Sequence, residues 1–228
     1  MKQPSKLLDK YKLRERAYEH DPIWHVQLII LLAIGLQISL PDRFSAGPRF
    51  ALPILETILL LSLTTSSRRI RVVRGFITRI NTLLVLFLIG IGNIYALQRL
   101  SHDLLIGGKI SNGHELIRTS INIYLTNVIV FALLYWELDG GGPGKRSQEN
   151  LRERDFLFTQ MTNKEFAPVG WLPTFIDYFA LSGTNALAFS PTDTLPLSRR
   201  AKLLMLVQAF VALSTLGLVA ARAVNILS

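Results

Sequence analysis

Cysteine is absent from the 228-residue chain, which excludes disulfide frameworks and thiolate metal sites. Charge is scarce as well. Only 18% of residues are Asp, Glu, Lys or Arg, against roughly 25% in soluble globular domains. Acidic residues are the scarcer sign, 16 against 25 basic. His25, His102 and His114 sit in connectors and at segment ends without ligand spacing, so no metal and no cofactor is expected. Ser182-Gly183-Thr184 has no neighbouring His/Asp pattern, no GxSxG occurs, and the DGGGPGK run lacks the GxxxxGK[ST] spacing of a phosphate loop. No enzyme activity is expected. The charged first twenty-odd residues contain no early apolar run or small-residue cleavage site, so they do not read as a secretory signal. No repeat recurs at a fixed period.

Apolar residues, by contrast, are plentiful and come in blocks: the chain is 50% hydrophobic with a mean hydropathy of +0.34. The expected fold is all-α, a polytopic helical membrane protein with about five spans plus a re-entrant pore-helix and loop. Four parts are expected: a basic cytoplasmic segment over 1–22, a four-span bundle over 23–136, a hydrophilic connector over 137–170, and a re-entrant loop plus last helix over 171–228. The first segment is either a basic helix lying on the membrane face or a solvated tail. The spans are Ile23 to Leu40, Phe50 to Thr65, Thr82 to Leu97, Thr119 to Trp136 and Leu203 to Leu227. Five arginines between Arg68 and Arg79 are too dense for hydrocarbon and mark a connector. Gly90 and Gly92 would allow close helix packing. Within 137–170, Asp139 to Gly144 forms a flexible corner, and Glu149 to Phe158 has the pattern of a short amphipathic helix.

The net charge of +9 and pI near 10.1 would suit a nucleic-acid binder. However, the basic residues flank apolar runs, where orientation and anionic headgroups account for them. The bilayer, and not nucleic acid, is the expected partner. With 174–198 re-entrant, 19 Lys and Arg fall on one side and 6 on the other, which puts the N-terminus in the cytoplasm. If 171–189 crosses fully, the bias drops to 17 against 8. Charge favours the first count.

The segment Asp177 to Leu227 reads as a short apolar helix, a Ser/Thr/Pro/Asp loop, two arginines and a long apolar helix. Tyr178-Phe179-Ala180-Leu181-Ser182 opens the short helix and Thr184 lies within it. Leu187-Ala188-Phe189-Ser190, Asp193, Pro196 and the long helix follow. This pattern resembles the pore helix, filter and inner helix of the potassium-channel-like P-loop superfamily. It looks closest to a bacterial family of multi-pass membrane proteins whose C-terminal part carries that pattern, as do the WELDGGGPG and AFSPTD runs. The resemblance covers about a quarter of the chain. It implies a pore with Thr184, Asn185, Ala188, Phe189, Ser190, Thr192 and Asp193 at a filter-like position, and a symmetric homo-oligomer, a tetramer if it is a channel. A potassium filter needs glycines to aim alternating carbonyls. Here Ala188 and Ser190 stand in their places, Pro191-Thr192 is inserted before Asp193, and Ala186 replaces the filter threonine, so potassium selectivity is not expected.

Other candidates follow from the residues alone. Ser190, Thr192 and Asp193 offer oxygens that suit a small hard cation, or they cap a Ser-Pro turn. Gln208 and Asn225 on the last helix would face a pore if one exists. Glu56 is an intramembrane acid that either faces the bundle interior or reaches interfacial water. Asn81, Asn93, Asn122 and Asn127 glue helices together. Two functions follow: an ion-channel-like protein with a degenerate pore loop, or a non-conducting accessory or signalling subunit that uses the pore-loop fold as packing architecture.

Overall fold

The computed structural model describes residues 23–66, 74–107, 113–146, 154–162, 165, 171–188 and 193–227. The basic segment 1–22 and the first part of the arginine-rich connector lie outside the described residues. Six helices carry the fold: α1 (Ile23–Ile38), α2 (Ala51–Ser66), α3 (Arg74–His102), α4 (Gly113–Leu138), α5 (Phe175–Ala188) and α6 (Arg199–Leu227). A two-stranded antiparallel ribbon joins β1 (Phe156–Phe158) to β2 (Thr194–Pro196).

Local chemistry sets the boundaries. Ser39 closes α1 by donating its hydroxyl to the Leu36 carbonyl, and Pro41 stops the chain from continuing. Pro53 sits in the first turn of α2, where its missing N–H would have no partner anyway. Thr174 caps α5 in reciprocal fashion: its N–H and hydroxyl donate to the Asp177 carboxylate at 2.7 and 2.9 Å, while the Asp177 N–H returns to the Thr174 carbonyl. Ser198 caps α6 by accepting the Ala201 N–H.

The described residues are mostly helical, and three stretches among them are long and apolar enough to cross a membrane: Arg79–Leu105, Gly113–Gly141 and Arg199–Ala221. The α1 and α2 helices have 16 residues each, about 24 Å against a hydrocarbon core of about 30 Å. The centre is α4, packed against α1, α3, α5 and α6, with α2 outside against α3 and α1. Along α6 the buried residues are Ala201, Met205, Gln208, Val211, Ala212 and Thr215, small or polar except for Met205 and Val211. The exposed stripe is Leu203, Leu206, Phe210 and Leu213. A water-soluble helix turns its large apolar residues inward. The opposite arrangement suits close backbone approach within an apolar solvent.

Two features of the 137–170 section differ from expectation. Phe156–Phe158 is a strand, not the end of a surface helix, because Phe156 and Phe158 alternate into the core while β2 supplies partners for the backbone. The Asp139–Gly144 corner is anchored, with Asp139 fully buried.

Charged residues separate to the two ends of the bundle. Arg43 pairs with Glu115 at 2.6 Å and Arg49 with Asp42 at 3.1 Å at one end. Arg79–Glu137, Arg154–Asp139 and Arg200–Asp155 form at the other. Each of these pairs joins residues that the charge count assigns to the same side.

Candidate functional site

The C-terminal unit is tied to the bundle by two polar layers. The first surrounds Asp139 at the end of α4. Its carboxylate accepts from the N–H groups of Asp155 and Phe156 at 2.7 and 3.2 Å, from the Tyr178 hydroxyl at 2.5 Å and from Arg154 at 3.3 Å. The three-glycine turn after Asp139 makes this possible. Gly140 and Gly142 have φ of +59° and +101°, and a Cβ on Gly142 would stand 3.1 Å from the Glu137 carbonyl oxygen. Arg79 closes the turn from α3 by donating to the Gly141 carbonyl at 2.7 Å. Buried Arg146 lies over the rings of Tyr178 and Trp136, 4.8 and 5.4 Å from their centroids.

From Asp155 the layer continues to α6. The Arg200 guanidinium donates twice to the Asp155 carboxylate, at 2.7 and 2.8 Å. The Leu197 N–H donates to the Asp155 carbonyl, and Thr159 donates through its N–H and hydroxyl to the Asp193 carbonyl. Hence α5 starts beside Asp139, and α6 starts at that same end. After α5 ends at Ala188, the next described residue, Asp193, is beside Thr159 at that same end.

The second layer lies deeper, where α4, α5 and α6 meet at Gln208. Its Oε1 accepts from the Tyr135 hydroxyl at 2.6 Å and from Asn185 Nδ2 at 2.8 Å. Its Nε2 donates to the Ser182 carbonyl and hydroxyl at 3.0 and 2.6 Å. Ser182 in turn donates to the Val128 carbonyl at 2.7 Å, and Asn185 also donates to the Met205 carbonyl. An amide offers two donors and two acceptor positions, and Gln208 has all four in use.

The sequence candidates fall into three groups. Asn185 and Gln208 meet directly. Thr184, one residue before Asn185, shares its hydroxyl between the Ala180 and Leu181 carbonyls of its own helix. Ala188 ends α5, and Asp193 is exposed just before β2. Phe189, Ser190 and Thr192 lie outside the described residues, and Asn225 is on α6 with its side chain outside them. Glu56 belongs to neither layer: it is buried between α2 and α1, facing Gln37.

Of the expected helix-gluing asparagines, Asn93 donates to the Ile123 carbonyl, Asn122 to Ser39 and Asn127 to the Gln208 carbonyl, each across elements. Sequence reasoning missed Tyr135, Ser182, Asp139, Tyr178, Asp155 and Arg200 as a joined set. The available signal was a lone aspartate at a helix end before three glycines, a residue that needs donors from elsewhere. Comparison with family models, with curated proteins and with solved structures finds no match to this chain.

Proposed function

We propose that this chain is a multi-pass membrane protein with five spans and a re-entrant α5, whose pore-loop-like unit is packing architecture in a non-conducting accessory or signalling subunit. The carrying observation is the saturated Gln208 amide. Polar side chains that would line a path between α5 and α6 spend their hydrogen bonds on one another. The outward face of α6 is apolar, with Leu203, Leu206, Phe210 and Leu213. Neither described face of α6 offers a polar lining. The resemblance to the P-loop superfamily supports the helix–return–helix outline, while the missing glycines argue against a filter.

The re-entrant count is supported by Arg200. A fully crossing α5 would carry Arg200 to the side opposite the 137–170 section, yet it pairs with Asp155 of that section. The charge bias then orients the N-terminus and the return loop toward the cytoplasm of a bacterial inner membrane.

A second reading is favoured by one feature. Asp193 is exposed and the outer face of α6 is uncovered, so a homo-oligomer could bring several copies of both to one axis and pass a small cation. Ion flux through liposomes holding the purified chain separates the two. No flux above empty vesicles is expected. Cation flux that Asp193→Ala reduces would establish the channel reading in its place.

A further inference from the structure

Glu56 is fully buried. It lies five residues past the start of α2, about 8 Å along the helix from the α1–α2 connector. Its partner is Gln37 of α1, whose amide nitrogen is 2.8 Å from one carboxylate oxygen and 3.3 Å from the other, in the orientation that pairs donor with acceptor. Gln37 fits there because α3 is notched. A Cβ on Gly92 would overlap the Gln37 amide.

Among the described residues, no ion pair to Glu56 is formed. Of the two helices packed against α2, α1 carries no Asp, Glu, Lys or Arg, and its one titratable group, His25, is twelve residues from Gln37. On α3 the nearest titratable groups past Gly92 are Tyr95 and, about 10 Å along the axis, Arg99. In the connector Arg49 pairs with Asp42, and Arg43 with Glu115. A hard cation such as calcium or magnesium takes about six or more oxygens, far more than one carboxylate and one amide. A proton needs no added space and removes the charge that apolar surroundings disfavour.

We propose that Glu56, cradled by Gln37 and Gly92, is a proton-binding site that exchanges one proton with the aqueous face at the α1–α2 connector. The Gln37 amide serves both states: its N–H donates to the carboxylate, and its carbonyl can accept the O–H of the acid after rotation. The site requires the helices to lie in a bilayer but is independent of whether the α5–α6 unit conducts.

Carbodiimides modify carboxyl groups through the protonated form, and an apolar one enters the bilayer. The full chain in liposomes is treated with dicyclohexylcarbodiimide or with a water-soluble carbodiimide across a pH series, and Glu56 is read by peptide mass spectrometry. Expected is modification by the apolar reagent that declines about tenfold per pH unit on the alkaline side of a single midpoint, with little by the soluble one. Gly92→Ala, which displaces Gln37, is expected to shift the midpoint. Equal labelling by both reagents overturns the proposal, as does labelling at Glu56 that is absent or flat with pH. An unmoved midpoint in Gly92→Ala overturns the cradle. The wild-type profile needs no variant to fold, and Glu56→Gln serves as the blank.

Discussion

Gln208 and Asn127 touch each other, yet they carry different weight. Asn127 reaches only the backbone carbonyl of Gln208, at 3.3 Å, and its own oxygen has no hydrogen-bond partner. Gln208→Leu strands the Tyr135 hydroxyl and one Asn185 contact in a buried layer, a loss of about 1–3 kcal/mol. Asn127→Leu removes a long bond and an orphaned acceptor together, so it is expected to be nearly neutral. Thermal unfolding in detergent compares the two variants, and an equal loss in both would contradict this account of the layer. At this scale the sequence was half legible. A glutamine in an apolar helix is conspicuous, and Asn185 was marked, but Ser182 read only as part of a helix start. Nothing local reveals that four hydrogen bonds converge on one amide, because the partners come from two other helices.

The helical elements were legible because their apolar blocks are bounded by Pro, Ser and Arg. The helix–return–helix outline came through for the same reason, since fourteen residues of α5 are too few for a span. The ribbon was not legible. Three residues alternate too briefly to distinguish a strand from a helix turn, and β1 is defined by a partner some forty positions away. The Asp155–Arg200 pair locks the ribbon to α6, and its two members are unequal: the Asp155 side chain is 3% exposed and that of Arg200 is 56%. Removing the base leaves a buried carboxylate without its counter-charge, whereas Asp155→Asn removes the charge itself. Arg200→Ala is therefore expected to destabilise the fold more than Asp155→Asn, by about 1–3 kcal/mol. Unfolding midpoints of the two variants give the order, and the reverse order would mean that the pair acts only as a surface contact.

Among the described residues, the ion pairs of the bundle fall at its two ends. The same sorting was visible in the sequence as Lys and Arg bias, although the bias alone left the count of spans open by one. Cysteine-free chains allow topology to be read one position at a time. Single cysteines replacing Asp42, Asp193 and Lys202 are expected to react with a membrane-impermeant thiol reagent from opposite sides, Asp42 from one and the other two together from the other. All three positions reacting from the same side would refute the re-entrant α5. The Asp139 layer has a consequence for how the chain is made. Synthesis runs from the N-terminus, so α4 and its terminal carboxylate leave the ribosome first, then Asp155, then Tyr178, and Arg200 last. The α5 helix has too few residues to be retained in the bilayer by itself, and the ribbon cannot close until Thr194–Pro196 has emerged. In the proposed membrane arrangement, the ribbon and α5 would therefore dock only when α6 arrives.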